Sequence, residues 1–559
     1  MKTNQKVLGA AICAAMLSLV GCEKASEPKV TAEPKDKTPA QTETTTKENV
    51  KLAEVQELVR GNGTEPASLD PHKTEGVPES NVIRELLEGL VNQDGDGNLV
   101  PGVAESWETE DNLTFVFHLR KDAKWSNGDA LTAHDFEYSF KRAVDPKTAA
   151  PYSWYLEMTT MVNAAAIING EKDASELAVK ALDDYTLEIK LEQALPYFVA
   201  MTSHTTLKPV HRATVEKFGD KWTLPANFVG NGAYKVAEWV VNEKIVMERN
   251  ENYWDNDSTV INKVTYLPIE NQVTDMNRFL AGEIDMTYEM ANEHFKRMQK
   301  EQPDSLKVTP YLCSYYYGFN NKKAPFDDVR VRKALSYAID REAVAKFIVG
   351  KGELPAYNFA HQKVAGLQVD TPDYATWSQN ERNAKAAELL AEVGYGKDKP
   401  LEFTLLYNTS ENHKKIAIAV ASMWQKTLGV KVNLENQEWK TFLDNRRNGN
   451  YDVTRAGWCG DYNEASTFLS LMQSNNGNND QFYNSPAYDG FMNAAMTAVD
   501  DAVRGDNYRQ AEAQLAQDMP LAPIYHYVNA RLVKPTVGGY PMNNAEDKIY
   551  TKDLYIIAK

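Results

Sequence analysis

Two stretches carry most of the information in this chain: Pro325-Phe326-Asp327-Asp328-Val329-Arg330-Val331-Arg332-Lys333-Ala334-Leu335, and Arg455-Ala456-Gly457-Trp458-Cys459-Gly460-Asp461-Tyr462-Asn463-Glu464. Neither contains a catalytic signature. The whole chain also lacks a GxSxG elbow, an HExxH helix, a CxxC pair and a GxxxxGK[ST] phosphate loop. Their absence argues against the common catalytic classes. Because a glycosidase needs only two well-placed carboxylates, an exported hydrolase stays an alternative.

Strand and helix patterns alternate on both sides of these stretches. Alternating apolar residues predict short strands at 114–119, 187–191 and 431–434. Apolar residues three and four positions apart predict helices at 383–393 and 411–428, each followed by a glycine that ends it. No internal repeat is present. The pattern is typical of mixed α/β lobes.

Three further stretches occur earlier in the chain: Ser68-Leu69-Asp70-Pro71-His72-Lys73-Thr74-Glu75-Gly76-Val77, Ala104-Glu105-Ser106-Trp107 leading to Phe117-His118-Leu119-Arg120, and Trp125-Ser126-Asn127-Gly128 with Phe136. In this combination and order, the five stretches resemble the bacterial extracellular solute-binding proteins, family 5, of peptide importers. The resemblance covers the chain from about Leu52 to Lys559. Several of these motifs occur whatever the ligand, whereas the tract around Trp458 and Asp461 is more selective.

The resemblance implies an α/β, two-lobed periplasmic binding protein fold of type II, cluster C, with an extra inserted domain. The three expected domains are lobe I (50–87 with 212–312 and 528–559), inserted domain II (88–211) and lobe III (313–527). Two strands that cross near Leu312 and Tyr527 would join the lobes. A ligand would be enclosed by hinge closure.

The resemblance also implies how a peptide would be held. A receptor for varied peptides must read the backbone amides, the ammonium and the carboxylate that all peptides share. The backbone would add as a strand between Glu75-Gly76-Val77 on one lobe and Gly457-Trp458-Cys459 on the other. The ammonium would meet Asp461, with Tyr152 as a hydroxyl partner. Without the resemblance, Asp461 would be interpreted as a helix cap or turn residue.

At the carboxyl end, the matching positions are Arg446, Arg455 and His413. Relatives place cations there at increasing distance along the cleft, and an arginine can bind a carboxylate in bidentate fashion. Taken alone, these residues would be two solvated surface arginines and a histidine at a helix start. Trp439 matches a residue that lines a side-chain pocket.

Two positions depart from the family pattern. Val349 replaces a lysine that contacts the carboxylate of shorter peptides, with Lys351 two positions on, and Gly318 replaces a cavity glutamate. The preferred peptide length is therefore expected to differ. The same two positions leave open a second reading, a receptor for murein tripeptide with the same fold.

The amino terminus is typical of an exported lipoprotein. Residues 1–21 combine a basic head with a short apolar run, which predicts a signal peptide. Cys22 follows Gly21 and would be acylated. Residues 22–49 are poor in large apolar residues and rich in Thr, Lys, Glu and Pro, which predicts a disordered tether. We expect a periplasmic protein anchored to a membrane through this lipid.

The net charge bears on the possible binding partners, and the cysteine content bears on disulfide bonding. The net charge of -17 argues against nucleic acid as a partner. With Cys13 in the signal and Cys22 at the lipid, only Cys313 and Cys459 remain in the body. Two thiols in an exported protein predict one disulfide, and two separate buried thiols are the alternative.

These observations predict the substrate-binding lipoprotein of an oligopeptide ABC importer. The protein would bind short peptides, present them to the membrane permease of the importer, and catalyse no reaction itself. We expect a monomer without cofactor or metal.

Overall fold

The computed structural model describes residues 50–365, 367–498 and 500–558. The predicted signal peptide (1–21), the lipidation site Cys22 and the predicted tether (22–49) lie outside the described residues, and these three features stay predictions. The described residues form mixed α/β structure with several separate sheets, which agrees with the predicted fold class.

The largest sheet is mixed and has six strands. In spatial order they are Leu354–Pro355, Leu521–Leu532, Leu306–Phe319, Val453–Cys459, Glu402–Asn408 and Lys431–Gln437. Four smaller sheets complete the described strands: Glu57–Gly61, Lys263–Leu267, Lys244–Arg249 and Tyr234–Val240; Ala104–Glu108, Thr114–Leu119, Thr186–Lys190 and Val179–Asp183; Val91–Gln93 with Leu99–Pro101; and Val537–Gly538 with Tyr555–Ile556.

Helices separate most of these strands. The described α-helices are Val77–Leu86, Ala133–Val144, Ser153–Met158, Ala164–Ile168, Phe198–Met201, Arg212–Phe218, Gln272–Leu280, Phe295–Glu301, Val329–Tyr337, Arg341–Ala343, Asp373–Thr376, Gln379–Glu392, Glu411–Leu428, Trp439–Arg447, Ser466–Leu469, Pro486–Thr497 and Asp501–Asp518. Shorter 3₁₀ turns lie between them, and residues Val344–Val349 form a π-helix. The turn Thr205–Leu207 is the one that bears on the site described below.

The two helices expected from periodicity are present, with one shifted start. Glu411–Leu428 has the predicted bounds and ends at Gly429, whose φ of 73° requires the left-handed conformation that glycine adopts easily. The other helix begins four residues earlier than predicted, at Gln379. The reason is a capping box, in which Ser378 and Glu381 exchange hydrogen bonds and satisfy the first free N–H groups of the helix.

Two long neighbouring strands connect separate hydrophobic cores. Leu306–Phe319 and Leu521–Leu532 pair antiparallel, and their register shifts between Pro310 and Ser314, where three residues of one strand face a single residue, Tyr527, of the other. On one side of this bulge the strands pack with the helices Gln272–Leu280 and Phe295–Glu301, and on the other with a larger cluster. The two strands contain the predicted positions Leu312 and Tyr527, whereas the crossing between lobes and the domain boundaries stay predictions.

The predicted disulfide is present. Cys313 and Cys459 are directly opposed residues of neighbouring strands, and their sulfur atoms are bonded. The bridge closes a loop of 146 residues and lies two positions before Asp461. It therefore fastens the end of the Val453–Cys459 strand to a crossing strand.

A buried cluster around Asp70 gives the stretch that begins at Ser68 a structural role. Both carboxylate oxygens of Asp70 accept hydrogen bonds from Arg142, at 3.0 and 2.6 Å, and Trp222 donates to the same group at 3.0 Å. Although burial raises the pKa of Asp70, the hydrogen bonds and charge of Arg142 hold that pKa below its ordinary value. The cluster joins three distant segments close to Glu75-Gly76-Val77.

Replacing Asp70 should therefore destabilise the fold. We expect Asp70→Asn to lower the free energy of unfolding by about 3–5 kcal/mol, because Arg142 would stay buried without its counter-charge. Urea unfolding followed by tryptophan fluorescence at pH 7 measures this. The control is Glu402→Gln, which removes an exposed ion pair with Lys431 and should change stability by less than about 1 kcal/mol. Equal effects of the two substitutions would contradict the assigned role.

Candidate functional site

One large cavity opens beside the Val453–Cys459 strand and the start of the Val77–Leu86 helix. Its volume of about 290 Å³ far exceeds the roughly 10–15 Å³ that one water molecule requires. All predicted ligand-contact residues line it: Glu75, Gly76, Val77, Tyr152, His413, Trp439, Arg446, Arg455, Gly457, Trp458, Cys459 and Asp461. The structure thus brings these residues together, and their individual roles are still predictions.

Asp461 lines the cavity just beyond the end of the Val453–Cys459 strand. The hydroxyl of Tyr152 donates to its Oδ2 at 3.1 Å, and Nε2 of His204 lies 3.3 Å from its Oδ1. The Asp461 side chain is only 13% exposed. Among the described residues, no lysine or arginine forms an ion pair with this carboxylate. The group is therefore buried beside hydrogen-bond donors but without a strong counter-charge.

A strand edge that is free for pairing leads away from Asp461. The strand Val453–Cys459 pairs along its whole length with Leu306–Phe319 on one side. On the other side, Glu402–Asn408 pairs only with Val453 and Thr454. Within the described chain, the edge from residue 455 to residue 459 thus faces the cavity without a partner strand. Backbone groups on such an edge can pair with an extended ligand.

Two glycines, one on this edge and one across the cavity from it, keep space open inside the cavity. A Cβ atom on Gly457 would lie 2.9 Å from Nη2 of Arg455 and 3.2 Å from the hydroxyl of Tyr527. Across the cavity, Gly76 has an extended backbone with φ -106° and ψ 158°, and a Cβ there would collide with the Glu79 carboxylate and lie 3.3 Å from Trp439. Larger residues at either position would displace groups that line the cavity.

Arg455 is a buried cation that lines the cavity. Its guanidinium donates to the hydroxyl of Tyr527 at 2.7 Å and to Oδ1 of Asn408 at 3.3 Å, and it lies over the Tyr315 ring at 4.9 Å. No described carboxylate forms an ion pair with it. A cation in this setting offers strong bidentate binding to an incoming carboxylate.

Arg446 differs from Arg455 because its charge is already compensated. Its Nε donates to Oδ2 of Asp480 at 2.6 Å, and both side chains are largely buried. Its neighbour Arg447 forms an ion pair with Glu75, which joins the two sides of the cavity. Arg446 therefore lines the cavity, as expected, but as a member of a neutral pair.

His413 lines the cavity as an imidazole without positive charge. Burial, and then the charges of Arg455 and Lys351, lower the pKa of His413 well below its usual range. Its Nδ1 is buried and has no hydrogen-bond partner among the described residues. At neutral pH this side chain can form a hydrogen bond with a ligand but does not attract a carboxylate by charge.

The positions that depart from the family pattern lie behind the cavity wall. Val349 is buried in a hydrophobic core. Lys351 is buried as well, with its Nζ 2.7 Å from Glu289 and 3.7 Å from Glu353. Although burial lowers it, these two carboxylates raise the pKa of Lys351 above its usual value, so the lysine keeps its charge but that charge is compensated. A Cβ on Gly318 would lie 2.7 Å from the amide of Gln481, which occupies this space.

Several cavity residues were not anticipated from the sequence. Among them are His204, Asn408, Tyr527 and Lys548. Lys548 donates to the backbone carbonyl of Asp461 at 3.1 Å and forms an ion pair with Glu546 at 2.7 Å. These residues come from segments far apart in the chain and belong to none of the quoted stretches, so no local sequence signal marks them.

Across the described residues, no group of three or more His, Cys, Asp or Glu side chains is arranged to hold a metal ion. Of the helices described above, none is both long and apolar enough to cross a membrane.

Comparison with known proteins places this geometry among solute receptors. The chain is 55% identical to the periplasmic oligopeptide-binding protein OppA of Salmonella typhimurium over 509 residues, which are 91% of this chain and 94% of the relative. Its structure superposes on Haemophilus influenzae OppA in complex with RPPGFSPFR with a TM-score of 0.89 at 50% identity, covering 91% and 100% of the two chains.

The lobes resemble that complex more than an open receptor. The unliganded open form of MppA, a periplasmic murein tripeptide binding protein, gives a TM-score of only 0.67 at 49% identity, although 91% of this chain and 99% of that chain are covered. The family model for the middle region of bacterial extracellular solute-binding proteins, family 5, matches residues 98–480. The chain belongs to the family 5 bacterial extracellular solute-binding proteins.

Proposed function

We propose that this protein is the peptide-binding receptor of an oligopeptide ABC importer. The observation that carries the proposal is the pair of uncompensated groups in one cavity: the Asp461 carboxylate without a lysine or arginine, and the Arg455 guanidinium without a carboxylate. An extended peptide supplies an ammonium for the first, a carboxylate for the second, and backbone amides for the strand edge between them.

The energetics favour a ligand of this kind. A buried charge without a partner costs several kcal/mol, and a ligand that brings the opposite charge removes part of that cost. Backbone pairing along residues 455–459 adds affinity without reading side chains. The receptor thus recognises features that every peptide has, and the cavity around the side chains can accept variety through water-mediated contacts.

The location and anchoring belong to the same proposal. We place the protein in the periplasm, held to a membrane through a lipid on Cys22, as a monomer that delivers peptides to the importer's permease. The names of the oligopeptide-binding relatives and the amino-terminal pattern support this placement. We also assign lobe I, domain II and lobe III to the ranges given under Sequence analysis.

We further propose that the protein is a receptor without enzymatic activity. The sequence lacks the four catalytic signatures named under Sequence analysis, and the family consists of binding proteins. Loss of intact peptide over hours in the presence of stoichiometric protein would instead identify a hydrolase.

The amino end of the site gives the first binding prediction. Asp461→Asn keeps the shape of the side chain and removes its charge. We expect this change to weaken binding of unrelated tri-, tetra- and pentapeptides by about 2–5 kcal/mol, that is by roughly 30-fold or more. N-acetylation should weaken binding to the original protein similarly and to Asp461→Asn little. Calorimetric titration of protein that was unfolded and refolded to remove copurified ligand measures both effects.

The control and the contrary results are specific. Asp398→Asn removes an exposed carboxylate that does not line the cavity, and it should leave every affinity unchanged. Binding of murein tripeptide without detectable binding of the simple peptides would instead indicate a receptor for cell-wall recycling. Full affinity of Asp461→Asn for free peptides would remove the assigned role of the carboxylate.

The carboxyl end gives a second prediction. Arg455→Gln should weaken binding of peptides with a free carboxylate by about 2–5 kcal/mol and of C-terminally amidated peptides much less. The comparison forms a double-mutant cycle, in which the coupling between the side chain and the carboxylate is measured directly. Additive effects of amidation and substitution would show that the ligand's carboxylate binds elsewhere, with Arg446 as the next position to test.

A further inference from the structure

We infer that His204 is a positioning residue, which holds the Asp461 carboxylate so that the receptor discriminates a free ligand amine from a blocked one. The inference rests on the proposed peptide-binding function and deepens it. Neither the sequence pattern nor the family resemblance pointed to His204. Its role follows from three contacts of its imidazole ring.

The first contact sets the proton on the ring. Nδ1 of His204 accepts a hydrogen bond from the backbone N–H of Thr206 at 3.3 Å, in the turn Thr205–Leu207 that His204 caps. In a neutral imidazole, the nitrogen that accepts is the one without hydrogen, so Nε2 carries the proton. This N–H lies beside Oδ1 of Asp461, with Nε2 and Oδ1 3.3 Å apart.

The second contact holds the ring in place. The His204 imidazole stacks on Tyr152, with ring centres 4.9 Å apart and planes inclined by 16°, and its other neighbour is Tyr155 at 4.6 Å. Only 14% of the His204 side chain is exposed. Packed rings of this kind leave the imidazole little freedom to turn away from Asp461.

The third contact is with the carboxylate of Asp461, which Tyr152 also contacts. Tyr152 donates to Oδ2 of Asp461 at 3.1 Å, and Nε2 of His204 lies 3.3 Å from Oδ1, so each oxygen has one polar protein group beside it and keeps lone pairs for the ligand. Lys548 is the charged neighbour on this side, and it donates to the backbone carbonyl of Asp461 and to Ser203 rather than to the carboxylate. Loss of the His204 imidazole would remove the polar neighbour of Oδ1 and let the carboxylate rotate away from the ligand amine.

Two substitutions separate this role from the capping of the turn. In His204→Asn, the side-chain oxygen can replace Nδ1 and accept from Thr206, but no group reaches Asp461. In His204→Gln, the longer amide can place an N–H near the position of Nε2. We therefore expect His204→Asn to lower the ratio of affinities for free and N-acetylated peptide by about tenfold, and His204→Gln to keep most of that ratio.

The readout is chosen so that a merely structural role gives a different result. The ratio of affinities for free and C-terminally amidated peptide should stay constant in both variants, because it depends on Arg455. Equal loss of both ratios would show a general distortion and would overturn the inference. An unchanged amine ratio in His204→Asn, or its loss in a folded His204→Gln protein, would also overturn it.

The original protein is titrated first, with tri- to pentapeptides in free, acetylated and amidated form. If it shows no preference for a free amine, the proposed function itself fails, and this result is distinct from a normal preference that His204→Asn does not alter. Thermal unfolding of each variant verifies that the fold is retained.

Discussion

The structure depends on one electrostatic constraint: a carboxylate and a guanidinium are held in the same cavity, and neither has a full counter-ion. Asp461 and Arg455 could each have been neutralised by a nearby side chain, as happens to Arg446 and Lys351. Leaving them uncompensated costs folding free energy, because buried charges lose hydration. A fold can retain such a cost where a ligand of opposite charge compensates it, and on this ground we propose these two residues as the ends of the site.

The sheet supplies the distance and direction between these charges. Arg455 lies within the Val453–Cys459 strand and Asp461 follows its end, so a single rigid element positions both. Neighbouring strands cover one edge of that element completely and stop after Thr454 on the other. The disulfide at Cys459 fastens the strand next to Asp461. A ligand that pairs with the open edge is therefore aligned with both charged groups at once.

Part of this arrangement was predictable from the sequence. The reasons differ between the helices and the cavity residues. The helix that ends at Gly429 follows from local periodicity and a glycine, whereas the helix start at Gln379 was missed because the capping box lies outside the apolar pattern. The cavity residues were found through resemblance. The charge state of His413 and the pairing of Arg446 were not, because both depend on burial and on partners from distant segments.

Because neighbouring side chains can compensate a charge, the number of arginines and lysines along a cleft does not give the number of sites that can bind a ligand carboxylate. Arg446, Lys351 and Arg455 all lie at or behind the cavity wall, yet Asp480 compensates the first and two glutamates compensate the second. Only the third retains an unshared charge among the described cations of this group. A side chain contributes to ligand binding through the charge that its own neighbours leave uncompensated, and this quantity can be read only from the folded chain.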